Sequence, residues 1–139
     1  EQKEIANYLA SLDVDIVIGA HPHVVEPIEY IGDTLVIYSL GNFISAQRGI
    51  EKLTGLMVSL DVEKDLVEGK ISIKNIDAEL LYTYSDYSSG YRKDFKVYPY
   101  TKLNDNLLPG YNDYYNKYMN IVIGDKDYIR KGDYSGNSK

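Results

Sequence analysis

The chain has 139 residues, 44% of them hydrophobic, which predicts one folded domain with a core and excludes a disordered or fibrous protein. Cysteine is absent, so disulfides, thiolate metal sites and a cysteine nucleophile are excluded. The net charge of −6 and the scattered basic residues argue against a nucleic-acid partner, and no apolar run approaches the roughly 18 residues that a membrane-spanning helix requires.

The first predicted elements are a helix and a strand. Apolar residues recur at helical spacing, at Ile5, Tyr8 or Leu9, and Leu12, so we expect a helix over 2–12 that packs this face on the rest of the protein. The run DIVIG at 15–19 is typical of a buried, parallel strand. Such an apolar strand normally has a neighbour on each side, and this sequence offers candidates for only one side. The sheet is therefore predicted to be incomplete.

Two β-hairpins are predicted next. In the first, residues 28–31 and 35–38 flank Gly32-Asp33, where the glycine supplies the positive φ of a two-residue turn. The segment SLGNF, residues 39–43, is predicted to be a tight irregular connection. In the second hairpin, apolar residues alternate over 55–62 and again over 70–77, with a polar turn between them.

The last third of the chain is less regular. The segment KVYPY contains a proline that suits an edge strand or a loop. A helix is predicted over 111–122, with Gly124 as its stop. Most of the fifteen tyrosines follow position 80 and are predicted to lie in half-buried positions. We expect residues 1–125 to form a single domain of α+β class, with five to seven strands and two helices, and 126–139 to be a frayed tail.

The histidines in this sequence are His21 and His23, which follow the first strand and flank Pro22. Binding sites of α/β proteins lie where strands end, and neutral imidazole is a common ligand of Zn, Mn and Fe. A histidine pair in a loop can equally cap backbone groups, so the residues alone leave both interpretations open. A metal site needs three or more ligands. The nearby candidates, each more typical of a solvated or capping residue, are Asp13, Asp15, Glu26, Glu29 and Asn42.

Two motifs together carry a family resemblance. The run IVIGAHPHVVEPIEY, followed by VIYSLGNFI, closely resembles the C-terminal half of the bacterial capsule-synthesis CapA family, the poly-γ-glutamate capsule proteins. Their fold is similar to that of calcineurin-like metallophosphoesterases, a layered α/β/β/α sandwich. The resemblance covers about residues 1–62, and the remaining residues fit only loosely. It implies that this chain is the C-terminal portion of such a domain.

The resemblance also implies a metal site. Metallophosphoesterases carry a Gly-His-x-His motif in which each histidine binds a different ion, which assigns His21 and His23 as ligands of two divalent metals, Mn, Fe or Zn. Here Ala20 separates Gly19 from His21, so the turn is one residue longer. Asn42 is expected to offer its amide to substrate. Its alternative role is in a tight turn, with Phe43 in the core. The family's other ligand motifs do not occur in this sequence.

Three functions are consistent with these residues and with the resemblance. The first is a metal-dependent hydrolase of phosphoesters or amides, inactive as this chain alone. The second is a non-catalytic component of poly-γ-glutamate synthesis or export that binds polymer or other capsule proteins. The third is an accessory domain whose histidines only shape a loop. The resemblance further implies an upstream remainder of the same domain as partner, and a cell-surface location through a membrane anchor outside these residues.

Overall fold

Residues 1–132 are described by the computed structural model, and they form an α+β fold with mixed sheets, which confirms the predicted class. The helices are α1 (Gln2–Ala10), α2 (Ile50–Leu53) and α3 (Tyr111–Val122), and a 3-10 turn covers Tyr100–Lys102. The strands are β1 (Ile16–Ile18), β2 (Ile28–Ile31), β3 (Thr34–Ile37), β4 (Thr54–Lys64), β5 (Ile71–Asp86), β6 (Lys93–Pro99) and β7 (Ile129–Lys131).

The first sheet has the order β1-β3-β2. Strand β1 runs parallel to β3, with Val17 opposite Val36, and β2 pairs with β3 in the antiparallel direction. Gly32 has a φ of 60° in the turn between β2 and β3. The predicted parallel strand and first hairpin are both confirmed. The central strand β3 is buried along its whole length.

The helix α1 packs through a different face from the predicted one. Ala6 is its buried residue and contacts a small cluster with Val36 and Tyr38, whereas the predicted apolar face is open. The exposed fractions of that face are 53% at Ile5, 64% at Tyr8 and 56% at Leu12. The small alanine side chain lets the helix backbone approach the sheet, which rotates the larger side chains outward.

Strand β1 is also less buried than predicted. Ile18 is 63% exposed, because β3 is its partner on one side and no described residue pairs with it on the other. An apolar strand therefore lies at the edge of the sheet.

The second sheet is built around the long strand β5. Strand β4 pairs with β5 in the antiparallel direction, with a bulge between Ser59 and Asp61, and β6 pairs with the C-terminal half of β5. The second hairpin is confirmed, and β6 forms the predicted edge strand of KVYPY, ending at Pro99. Helix α3 buries Tyr118, Met119 and Val122 and confirms the predicted helix.

The predicted frayed tail over 126–139 is wrong where the structure describes it. Strand β7 runs parallel to β5, with Ile129 opposite Ile76, and Ile129 is buried in the core. The Arg130 guanidinium also binds the Asp77 carboxylate through two hydrogen bonds of 2.8 and 2.7 Å. A single buried isoleucine between polar residues gives no periodic signal, which explains the error. Residues 133–139 lie outside the described residues.

Candidate functional site

The histidine loop leaves the sheet at Gly19. Its amide donates to the carbonyl oxygen of Ile37 over 2.7 Å, which continues the β1–β3 ladder by one step. A Cβ atom at this position would lie 2.1 Å from the carbonyl oxygen of Tyr38, far inside contact distance, so only glycine lets the two backbones approach here. The loop that follows therefore begins at the C-terminal end of β1, as the sequence predicts.

His21 and His23 both have left-handed backbone conformations, with φ values of 107° and 61°. A non-glycine residue in this region is strained by an order of 1–3 kcal/mol, and such residues cluster at functional sites. Both side chains are exposed. Their ring centroids lie 6.4 Å apart with an interplanar angle of 38°. The two imidazoles are thus neighbours on one surface.

Asn42 reaches this loop from the connection between β3 and α2. Its Oδ1 lies 2.8 Å from Nδ1 of His23. Its amide nitrogen donates to the carbonyl oxygen of Lys52 over 2.9 Å and to Oε1 of Gln47 over 3.1 Å. The amide is therefore engaged within the protein. Phe43, the alternative core residue, is 69% exposed and does not fill the core.

The segment that carries Asn42 is held between the two sheets. Gly41 bridges to Gly55, and Leu56 donates to the carbonyl oxygen of Leu40 over 2.8 Å. A Cβ atom at Gly55 would lie 2.2 Å from the carbonyl oxygen of Asn42, so the close approach of these backbones again requires glycine. The first sheet thereby presents the histidines while the second sheet fixes Asn42.

The candidate carboxylates do not converge on the histidines. Glu26 accepts a hydrogen bond from Gln2 over 2.9 Å, and Glu29 accepts one from the Tyr38 hydroxyl over 2.8 Å. Burial, followed by that hydrogen bond to Glu29, raises the pKa of Tyr38 to about 12. Asp13 and Asp15 precede β1 and lie at the opposite end of the strand from the histidine loop. The carboxylates that are close to the histidines in sequence therefore do not provide a third ligand.

The two histidines alone fall short of a metal site. Among residues 1–132, no group of three or more histidine, aspartate or glutamate side chains could hold a metal ion. Two imidazoles on one surface supply two nitrogen ligands, and protein zinc sites use three or four ligands. A ring spacing of 6.4 Å is compatible with each ring serving a different ion of a pair about 3.5–4 Å apart.

Comparison with known proteins places both histidines and Asn42 in a matched segment. Residues 1–47 match the family model described as bacterial capsule synthesis protein PGA_cap. The chain is 34% identical over 76 residues to the PGA biosynthesis protein CapA of Bacillus subtilis (strain 168), an alignment that covers 55% of this chain and 20% of that protein. The chain thus spans about a fifth of the relative's length. No solved structure matches it.

Proposed function

We propose that this chain, a CapA-like capsule-synthesis segment over its first 47 residues, contributes His21 and His23 to a divalent-metal site of a protein that makes or exports poly-γ-glutamate. The observation that carries the proposal is the pair of strained, exposed histidines side by side within the matched residues. Side-chain packing does not explain the strained backbone of these two residues, because neither side chain is buried.

A bound pair of Mn, Fe or Zn ions would activate water and neutralise developing charge on a phosphate or amide. The residues of this chain hold imidazole nitrogens toward such ions and keep them at the C-terminal end of β1. We propose the calcineurin-like metallophosphoesterase sandwich as the complete fold, with the remaining ligands outside this chain. The contacts of Asn42 favour a role beside His23, and direct substrate binding by Asn42 stays a prediction.

Metal binding is the first test. The chain and the longest natural protein that contains it are titrated with Mn²⁺ and Zn²⁺, and bound metal is measured by elemental analysis after dialysis. We expect the His21→Ala, His23→Ala double variant to lose at least one bound ion per chain in the longer protein. The isolated chain, with two ligands, is expected to bind at least tenfold more weakly than the longer protein.

A matched control distinguishes the loss of the imidazole ligands from the effect of substituting residues with an unusual backbone conformation. Asn75 and Asp94 are also exposed residues with positive φ, of 50° and 52°, and both lie outside the histidine loop. The Asn75→Ala, Asp94→Ala double variant should keep full metal content. Equal metal content in the histidine variant and in the unsubstituted protein would refute the metal role.

A second candidate is a non-catalytic scaffold that binds polymer or other capsule proteins. The observation behind it is that no group of three or more histidine, aspartate or glutamate side chains among residues 1–132 could hold a metal ion. An acidic protein needs local positive charge to bind an acidic polymer. Binding of poly-γ-glutamate to the longer protein that is equal with and without divalent metal, together with no hydrolysis of model esters, would select this scaffold role.

We further propose that the remainder of a CapA-like domain docks on the open edge of β1. The hydrogen bonds from Leu35 to Asp15 and from Gly19 to Ile37 show that Asp15 and Gly19 face β3. Backbone groups in a strand alternate in direction, so those of Ile16 and Ile18 point toward the open edge. An added parallel strand would satisfy them, and edge strands left open invite pairing.

An apolar groove continues this edge. It is lined by Ile16, Ile18, Ile37, Leu40, Phe43, Leu56, Met57, Val58, Leu60 and Leu81. Its lining carries no charged side chain, although charged residues make up 26% of the sequence. The matched relative is about five times longer than the aligned part, which provides ample chain to cover the groove. The proposed occupant is therefore an apolar strand of the same domain.

Complementation tests this docking. The chain is mixed with the separately produced remainder of the longer protein, and amide hydrogen exchange is followed at Ile16 and Ile18. Both amides should slow at least tenfold, and Ile18→Lys should abolish the effect without unfolding the chain, since Ile18 is 63% exposed. The control Val67→Lys, at a position 95% exposed on the β4–β5 turn, should leave it intact. If a second copy of the chain, without the remainder of the longer protein, slowed exchange at these two amides, the proposed occupant would be wrong.

A cell-surface location, through an anchor outside these residues, remains a proposal from the family resemblance. None of the helices in residues 1–132 has the length and hydrophobicity to cross a membrane. Fractionation of cells that express the longer protein, with an antibody against this chain, tests the location. Recovery in the cytosolic fraction would contradict it.

A further inference from the structure

We infer that Asn42 is a positioning residue that fixes the proton of His23 on Nδ1 and so leaves Nε2 available as a metal ligand. The inference rests on the proposed metal role of His23. Its starting observation is the 2.8 Å contact between Oδ1 of Asn42 and Nδ1 of His23. A ring nitrogen in such a contact either donates or accepts, depending on the tautomer of the histidine.

The surroundings of Asn42 decide which tautomer is present. Its amide nitrogen lies near oxygen atoms, which are the carbonyl oxygens of Lys52 at 2.9 Å and His23 at 3.4 Å, Oε1 of Gln47 at 3.1 Å and Oγ of Ser45 at 3.3 Å. Carbonyl oxygens only accept hydrogen bonds, so the amide group that faces them has to be the donating NH₂. The Oδ1 atom of Asn42 then faces His23 as an acceptor, and Nδ1 of His23 has to carry the proton.

This arrangement leaves Nε2 of His23 with a lone pair. Histidine ligands of metals commonly donate their second ring N–H to an acceptor of the protein, which sets the tautomer and the ring orientation. Here the acceptor comes from a segment 19 residues further along the chain, and the bridge from Gly41 to Gly55 holds that segment in place. A ring that must also satisfy Asn42 has little freedom to turn away from an ion.

His21 provides an internal comparison. Its ring lies near the ring of His23, but it makes no hydrogen bond to any side chain or backbone group of residues 1–132. A neutral imidazole without a fixed partner exchanges between its two tautomers. The two histidines should therefore differ in their ring protonation even in the metal-free chain, and the difference should depend on Asn42.

Nitrogen NMR of the imidazole rings tests the inference without any metal. The spectra are recorded on the metal-free chain at alkaline pH, where free imidazole is neutral. We expect His23 to show a single tautomer protonated at Nδ1 and His21 to show a mixture. In Asn42→Leu, the ring of His23 should exchange between its two tautomers, as the ring of His21 does. Asn42→Asp keeps an acceptor oxygen and should preserve the Nδ1–H tautomer, while Gln47→Ala removes one partner of the amide and should also preserve it.

Zinc affinity of the longer natural protein supplies the second readout. Asn42→Leu should weaken zinc binding by about 10–100-fold, the usual effect of losing the partner of a ligating histidine, and should add nothing in a His23→Ala background. If Asn42→Leu changes the tautomer of His23 but the unsubstituted protein binds no zinc, the inference is supported and the proposed metal function fails. A His23 ring protonated at Nε2, or unchanged ring signals in Asn42→Leu, would overturn the inference even with zinc bound. Where Asn42→Leu does not fold, the tautomer of His23 in the unsubstituted chain still supports or overturns the inference.

Discussion

At the scale of single residues, the backbone conformation of His21 lowers the free energy of unfolding by a measurable amount. Its φ of 107° suits glycine far better than a residue with a Cβ atom. We expect His21→Gly to exceed His21→Ala in free energy of unfolding by about 1 kcal/mol. Urea denaturation of the two variants, followed by circular dichroism, measures the difference.

The same comparison of alanine with glycine, at a position with an ordinary backbone conformation, provides the control. Ala46 is an exposed loop residue outside the positive-φ set of the described chain. There Ala46→Gly should lower the free energy of unfolding by a few tenths to about 1 kcal/mol, because glycine loses more conformational freedom on folding. The sign of the Ala-to-Gly effect should thus reverse between positions 21 and 46. The same sign at both positions would mean that His21 is not strained.

Sequence patterns at this scale indicate residue types but not their partners. The spacing of His21 and His23 in the sequence predicts two neighbouring imidazoles at the end of a strand. The bond between His23 and Asn42 depends on how two sheets meet at Gly55, and no local pattern contains that information. The carboxylates close in sequence, such as Glu29, find partners elsewhere.

At the scale of elements, β7 tests how a short strand is held. Ile129 is 5% exposed and belongs to the main core, so Ile129→Ala should lower the free energy of unfolding by about 2–5 kcal/mol. The exposed neighbour Lys131→Ala should change it by less than about 0.5 kcal/mol. Urea denaturation measures both. A loss below about 1 kcal/mol for Ile129→Ala would mean that β7 contributes little to stability.

Elements with a regular pattern were predicted and those without one were not. Alternation in β4 and β5 and the helical spacing of α3 reflect burial on one face, so these elements were predicted from sequence. The open edge of β1 agrees with the predicted incomplete sheet. The packing face of α1 and the burial of β1 differ from the prediction for a shared physical reason. Apolar side chains such as Ile5 and Ile18 indicate burial, but both are more than half exposed among the described residues.

At the scale of the whole molecule, buried tyrosines connect the second sheet to α3. Tyr100 is 1% exposed, and its hydroxyl lies 2.9 Å from Oγ1 of Thr54. Its ring contacts the rings of Tyr82 and Tyr115. The predicted half-buried tyrosines are therefore in part fully buried, because their hydroxyl groups find partners inside the protein.

This packing predicts a loss of stability in alkali. Burial raises the pKa of six tyrosines, namely Tyr30, Tyr82, Tyr100, Tyr115, Tyr118 and Tyr128, and it raises that of Tyr38 to about 12. Above pH ~10 the unfolded chain loses these protons while the folded chain keeps them. The stabilisation is therefore complete below pH ~10 and is lost as the pH rises toward and through the raised folded-state pKa values.

We expect the free energy of unfolding to fall steeply between pH ~10 and ~12. The part of the tyrosinate absorbance that comes from the buried tyrosines should rise together with unfolding rather than before it. Urea denaturation at a series of pH values measures the slope. Tyr38→Phe removes a proton that the folded state retains, so it should make the slope shallower. Tyr87→Phe, at a ring that is 59% exposed, should leave the slope unchanged. Tyrosinate absorbance that rises fully while the chain stays folded would show that these hydroxyls are open to solvent, which contradicts the packing around Tyr100 and Tyr38.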